Sequence, residues 1–486
     1  MMSLLIKCSF IFGLALSGVT PPIEPAAPSQ SFITRIGHKL FENGNHFRWA
    51  SYNVPGYLMT EDYKNPLNSD WINPEPREQL DAVLTVKGSA GRVIRTYTLG
   101  FGNTYHMMGP NQFYEPAWVA FDNALNIARQ HGIRLIVPFI NNHNGGDAAP
   151  PGNFGDYAYF TKLRNLPPSQ FFNNSILIED FKNLIRYTLN RINTVNGIRY
   201  GDDPTMLAWQ LGNELGGWDG PAPPASWSIE MATLIKQLAP KTLVMDGTQG
   251  GLDAPNRYPI AALQHPSIDI FSNHYYYGES DYPRITKDSN WVAQYNKAFV
   301  LGEVGFRFEV VQRYFDMALK DTKISGCMVW SLRYHSRDGG FYTHSEEGGF
   351  FSYHAPGFPV SPGFGIDDAR MVKMIRRYGL LIQNLSSATA FPQPNAPSLS
   401  NLKNLTPKNL TWFGSAWAAG YNVYRSNTVG GTRVRVGTAI MDNVQFGKTI
   451  FSDNSAVVGR TYFYTICPLS VSMVEFCSVS LVIGPV

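Results

Sequence analysis

MLAWQLGNE at 206–214 and AFVLGEVG at 298–305 are apolar runs that deliver Glu214 and Glu303 at their ends. Short apolar runs bounded by glycine read as buried strands. Two strand-end carboxylates suit glycoside cleavage, in which one carboxyl donates a proton and the other attacks or assists at the sugar carbon.

Working outward, six further runs share this character: FRWASYN (47–53), RVIRTYTL (92–99), RLIVPFINN (134–142), LVMDGT (243–248), IDIFSNHYY (268–276) and GCMVWSLRY (326–334). Helical patterns lie between them. Trp118, Phe121, Leu125 and Ala128 follow 3-4-3 spacing up to Gly132, and Ile178, Phe181, Ile185, Leu189 and Ile192 form a second stripe. Eight such runs joined by crossovers predict an α/β chain closed as a (β/α)8 TIM barrel over residues 30–385. An open doubly wound sheet would show a glycine-rich phosphate turn after its first strand, and none is present. In a barrel, chemistry gathers at the carboxyl ends of the strands, where Arg95, Asn142, Glu214, His274, Glu303 and Trp330 fall. Ahead of the barrel strands, Asn43-Gly44 predicts a tight turn between two short strands within 32–53.

SSATAFPQPNAPS (386–398) reads as a linker. Short alternating strands follow over 399–486 and predict a small all-β sandwich. Through GYNVYRS (420–426) and GRTYFYTI (459–466) this segment resembles a fibronectin type III domain, which implies a tyrosine-corner role for Tyr462 and a spacer or packing function. Cys467 and Cys477 flank a short turn and are candidates for a disulfide; Cys327, within GCMVW, reads as a buried thiol.

Charged residues make up 16% of the 486, the net charge is +3, and Lys and Arg are scattered, which excludes a nucleic-acid footprint. Aromatics reach 13%, a composition suited to a carbohydrate cleft. Lys7, the apolar Cys8–Leu16 and the small Ser17 and Gly18 predict a signal peptide over 1–18, too short to span a bilayer. A secreted, soluble monomer with no membrane partner and no cofactor is expected.

The motifs taken together carry more than any one of them. The opening hairpin leading into FRWASYN, then IRTYT, WQLGNE, HYY, LGEVG and VWS occur in order at barrel spacing, so that residues 30–385 resemble glycoside hydrolase family 5 and its mannanase-like members. The resemblance implies that Glu214 is the acid/base and Glu303 the nucleophile, with carboxyls about 5 to 5.5 Å apart. It implies that Arg95 is the cation beside Glu303, that Asn213 holds a sugar 2-hydroxyl, that Tyr276 donates to Glu303, that His274 lines the cleft near the acid/base, and that Trp330 stacks on the sugar at the cleavage point. After the third strand, Asn141, Asn142 and His143 occupy positions where many mannanase-like relatives carry Asn-Asn-Trp, so His143 departs from the pattern.

The 335–365 loop, rich in Phe, Tyr and His, is expected to wall the cleft, and a wall closing one end would favour exo action. His335, His344 and His354 have no metal-ligand spacing, and no metal is expected. Glu346 and Glu347 read as a solvated pair. The expected activity is retaining hydrolysis of β-1,4-mannan polysaccharide. The alternatives are an endo-β-1,4-glucanase, an exo-β-mannosidase or a non-catalytic carbohydrate-binding protein.

Overall fold

The protein is described by a computed structural model covering residues 31–63, 71–102, 104–142, 155–217, 220–249, 258–346 and 348–486. The signal-peptide expectation at 1–18 and His143 lie outside the described residues.

Eight parallel strands close into a barrel in chain order: β1 (Trp49–Val54), β2 (Val93–Thr96), β3 (Arg134–Pro138), β4 (Met206–Gln210), β5 (Leu243–Met245), β6 (Ile270–Tyr275), β7 (Ala298–Val304) and β8 (Ile324–Val329). β8 pairs with β1 through Gly326 to Trp49, and β4 pairs with β5, which completes the ring. All eight strands are buried along their whole length. Their near-continuous apolar sequences follow from this, because helices cover the outside and side chains fill the inside. Val93, Ile136, Leu207, Met245, Ile270, Val300 and Met328 fill the interior with Trp49. A methyl at Gly326 would lie 2.1 Å from the Trp49 ring, so only glycine lets that indole occupy the barrel floor. Each fully buried aliphatic side chain here contributes about 1.5–3 kcal/mol.

The covering helices follow their sequence signals. α1 (Glu115–His131) buries Trp118, Phe121, Leu125 and Ala128, carries Pro116 in its first turn and ends on Gly132 at φ 73°. A left-handed residue there is a common helix stop and favours glycine. α2 (Ser175–Asn190) starts where the Asn174 side chain accepts from the Ile176 amide at 3.0 Å. Ile192, expected on its apolar stripe, lies past the helix end and is 55% exposed, because the helix has already stopped at Asn190. No helix among the described residues is long and apolar enough to cross a membrane.

The amino-terminal expectation needs enlarging. Thr34–Ile36, Lys39–Glu42 and Asn45–His46 form a three-stranded sheet, because Gly37 at φ 61° makes a second turn besides that at Asn43-Gly44.

After a largely exposed 386–396 stretch, the chain is all-β. Ser398–Leu399 pairs with Trp412–Phe413, and Val434–Ile440, Gly420–Ser426, Phe463–Leu469 and Leu481–Ile483 form a four-stranded antiparallel sheet in that order. The Tyr462 hydroxyl accepts from the Val457 amide at 3.1 Å, the bond a tyrosine corner makes. Cys467 and Cys477 are joined, and Cys327 is a buried free thiol.

These sheets pack on the barrel. Trp417 enters the barrel's own apolar cluster and its indole N–H donates to the Leu84 carbonyl at 3.3 Å. His335 is buried between Asp81 of the barrel, at 3.0 Å, and Asp442 of the carboxyl-terminal sheets, at 3.1 Å. Burial opposes its charge, but the two carboxylates prevail and push it up to about 10. Its ordinary value is 6.5, so this contribution to stability is complete below about pH 6.5 and is lost as pH rises through about 10. His335→Ala strands two buried carboxylates and is expected to cost about 3–5 kcal/mol at pH 6 in urea denaturation. The gap between wild type and variant should narrow between pH 7 and about pH 10.5.

Candidate active site

Arg95 leaves β2 with its guanidinium inside the barrel mouth, 0% exposed. Nε donates to Gln210 Oε1 at 2.9 Å, Nη2 to Asn213 Oδ1 at 2.5 Å, and Nη1 to both Asn53 Oδ1 at 2.9 Å and Glu303 Oε1 at 2.7 Å. One side chain therefore ties together β1, β2, β4 and its exit, and β7. A buried guanidinium is tolerated when its N–H groups are satisfied and a carboxylate balances its charge.

Glu303 receives a second donor from the far side, the Tyr276 hydroxyl, 2.6 Å from Oε2. Burial, followed by the Glu303 charge, raises the phenol well above its ordinary range, so Tyr276 stays a neutral donor. Donors on both oxygens suit an ionised carboxylate that presents its remaining lone pairs to the cleft.

Glu214 follows β4 and sits at φ 52°, in the left-handed region that non-glycine residues seldom adopt. Backbone of this kind persists where neighbours hold it and concentrates at functional sites. One such hold is Asn142, whose side-chain amide donates to the carbonyls of Glu214 at 3.0 Å and Gly217 at 2.7 Å. Asn142 thus shapes the turn that carries Glu214. Asn213 is fixed on both sides, accepting from Arg95 and donating to Asn141 Oδ1 at 2.8 Å.

His274, near the end of β6, joins the two carboxylates. Its Nδ1 lies 2.6 Å from Glu214 Oε1 and 3.3 Å from Glu303 Oε2. Ligand atoms of Glu214, His274 and Glu303 all lie within 4.8 Å of one another, and the glutamates are 8% and 4% exposed. That spacing has the size of a cation site, but the Arg95 guanidinium already supplies positive charge to Glu303.

Trp330 follows β8 and meets Tyr97 edge-on at 5.7 Å. With Met59, Trp71, Tyr97 and Ala117 it forms an apolar cluster bordered by Tyr105, Tyr114, Tyr276 and Phe306. Aromatic faces of this kind suit the apolar C–H faces of sugar rings.

Every described site residue expected from sequence is at this end of the barrel, Asn142 acting through the backbone. Sequence reasoning missed Asn53 and Gln210, ordinary polar residues at strand ends until a buried guanidinium needs their oxygens. It also misread Glu346. The Glu346 carboxylate is only partly exposed and is paired: Oε1 accepts from the Trp330 indole N–H at 2.9 Å and from His344 Nε2 at 2.8 Å. The three loop histidines face carboxylates as well, His335 as above, His344 to Asp62 and His354 to Asp368.

In this closed parallel barrel, glutamates from the ends of β4 and β7 converge on one mouth. Residues 104–306 match the family described as GH family 5 beta-mannosidase-like. Mannan endo-1,4-beta-mannosidase 5 of Solanum lycopersicum is 31% identical over 250 residues, 48% of this chain and 56% of that one. Mannan endo-1,4-beta-mannosidase 7 of Arabidopsis thaliana is 30% identical over 276 residues, 52% and 59%. The chain thus spans little more than half the length of these relatives. Among solved structures, a glycoside hydrolase family 5 mannosidase from Rhizomucor miehei shares the fold with TM-score 0.56 at 19% identity, covering 73% of this chain and 98% of that one. An endo-beta-1,4-mannanase from Thermotoga petrophila does so with TM-score 0.54 at 17% identity, covering 91% and 98%. Residues 104–306 are thus similar to the beta-mannosidase-like members of GH family 5, and the barrel shares its fold with these solved structures.

Arg95→Lys replaces a fork by a point charge and leaves acceptors among Asn53, Gln210 and Asn213 without donors. It is expected to lower stability by about 3–5 kcal/mol, measured by chemical denaturation. A loss below about 1 kcal/mol would show that water replaces the fork readily.

Proposed function

We propose that this protein is a secreted retaining β-glycosidase that cleaves β-1,4-mannan backbones internally. The observation that carries the retaining mechanism is the approach of the two carboxyls, with oxygens inside 4.8 Å. That approach is nearer the roughly 5–5.5 Å carboxyl separation of retaining enzymes than the roughly 6.5–9.5 Å of inverting ones.

In the first step Glu303 attacks the anomeric carbon while protonated Glu214 gives its proton to the leaving glycosidic oxygen. The C–O bond to the leaving sugar breaks and a glycosyl ester on Glu303 forms. Arg95 and Tyr276 hold Glu303 in line for attack. In the second step Glu214, now a carboxylate, takes a proton from water as that water displaces Glu303, which regenerates both groups. His274, in contact with Glu214, orients its carboxyl during both transfers. Asn213 stands next to the acid/base, where it can hold a sugar hydroxyl, and Trp330 offers the platform beneath the reacting ring.

Mannan as the backbone is supported by the names of the relatives that share residues of the barrel. The carboxyl-terminal sheets, which resemble a fibronectin type III module, act in this reading as a packing partner through Trp417 and His335. An exo-acting β-mannosidase is the second reading, favoured by the Glu346 segment closing on Trp330.

The test is hydrolysis of mannan, glucomannan and a soluble cellulose derivative by wild type and Glu303→Ala, with product lengths recorded. Mannan and glucomannan should yield mixed oligosaccharides, and the variant should lose on the order of 10⁴-fold or more in kcat. Cellulose-only hydrolysis would contradict mannan, a lone monosaccharide would indicate exo action, and binding without hydrolysis would contradict an enzyme.

A further inference from the structure

Behind Trp330 lies a buried polar chain that the two-glutamate mechanism leaves unused. Arg333 Nη2 donates to Glu61 Oε1 at 2.7 Å and lies 3.3 Å from Asp62 Oδ2. Asp62 Oδ2 meets His344 Nδ1 at 2.6 Å, and His344 Nε2 meets Glu346 Oε1 at 2.8 Å. The chain ends where the same Oε1 accepts the Trp330 indole N–H at 2.9 Å.

The inner members are closed off, the side chains of Glu61, Asp62 and Arg333 being at most 4% exposed, whereas that of Glu346 is 30% exposed. Both of its described bonds fall on Oε1. Glu346 also contributes to the field that raises Tyr276, the donor to Glu303, so a third carboxylate stands near the reacting pair. Glu61, Asp62 and His344 are close enough to suggest a cation site, but Arg333 already lies against both carboxylates.

We propose that Glu346 is a substrate-binding carboxylate: with Oε1 fixed on Trp330 and His344, its Oε2 accepts a hydroxyl of the sugar stacked on the Trp330 ring, and His344 with Asp62 is the positioning pair that aims it. The assignment rests on the reading of this cleft as a mannan site and adds a specificity element to it. A fixed carboxylate accepts hydroxyls and repels other carboxylates, so it selects neutral sugars over uronates.

The groups facing His344 explain why the aim holds. Only an imidazolium can donate from both ring nitrogens, as bonds to Asp62 and Glu346 require. Burial and Arg333 oppose that charge, but Asp62 and Glu346 on opposite edges push His344 up to about 9. Burial likewise opposes the Glu346 charge, yet His344, Trp330 and Arg333 hold it below its ordinary value. Above about pH 9 one nitrogen of a neutral His344 turns a lone pair toward a carboxylate, and the aim is lost.

The experiment uses the full chain. Mannotriose is titrated calorimetrically into Glu303→Ala and into Glu303→Ala with Glu346→Gln, and mannan hydrolysis by wild type, Glu346→Gln and His344→Gln is followed from pH 5 to 10. Glu346→Gln should weaken mannotriose binding about tenfold or more, the weight of a charge-assisted hydrogen bond, at unchanged melting temperature. Glu346→Asp, which keeps the charge but withdraws it by one methylene, should weaken it as well. Wild type should lose activity near pH 9, and His344→Gln should raise KM more than it lowers kcat and abolish that alkaline loss. Unchanged mannotriose affinity in both Glu346 variants, or an unaltered alkaline limb in His344→Gln, would overturn this assignment alone. A parent that binds no mannotriose would overturn the mannan reading and this assignment with it.

Discussion

The Arg95 guanidinium is the buried charge on which the mouth of the barrel is organised. A positive group with no exposure to water must find its compensation in protein. Here Glu303 neutralises it while Asn53, Gln210 and Asn213 take up the other donors. Because these partners come from different strands, satisfying Arg95 also fixes how the strand ends stand relative to one another. The positions of both glutamates follow: Glu303 is held directly, and Glu214 through the Asn213 beside it.

The two carboxyls are alike in sequence and unlike in surroundings. Glu303 accepts from a guanidinium on one oxygen and from a phenol that remains a donor on the other. Glu214 sits on a left-handed turn, facing His274 and stapled from below by Asn142. In the proposed mechanism these neighbours divide the labour between attacking group and proton carrier. The aromatic cluster around Trp330 supplies the other half of the cleft, and the Asp62, His344 and Glu346 chain gives that platform a fixed polar edge.

Much of this was legible before any coordinates. Eight buried strands announce themselves as apolar runs because each is covered on both faces, and the helix ending at Gly132 carries its own stop signal. Glu214, Glu303, Arg95, Asn213, His274, Tyr276 and Trp330 are legible because each sits at the end of such a run. What escaped is long-range polar pairing. Asn53 and Gln210 are ordinary until Arg95 demands them, and Glu346 looks solvated beside Glu347 until the chain folds back on Trp330. His335 reads as a loop residue because its partners, Asp81 and Asp442, lie far away on either side in sequence. Periodicity records which face is apolar and carries no trace of which distant carboxylate a buried imidazole will meet.

The proposed mechanism requires Glu303 to be the attacking group opposite Glu214. Proton NMR of the reducing ends formed in the first minutes of mannan-oligosaccharide hydrolysis reads that directly, because double displacement preserves anomeric configuration. The β-anomer should appear first, with the α-anomer growing in only by mutarotation. An α-anomer that appears first would contradict a covalent Glu303 intermediate and require a water between the carboxyls.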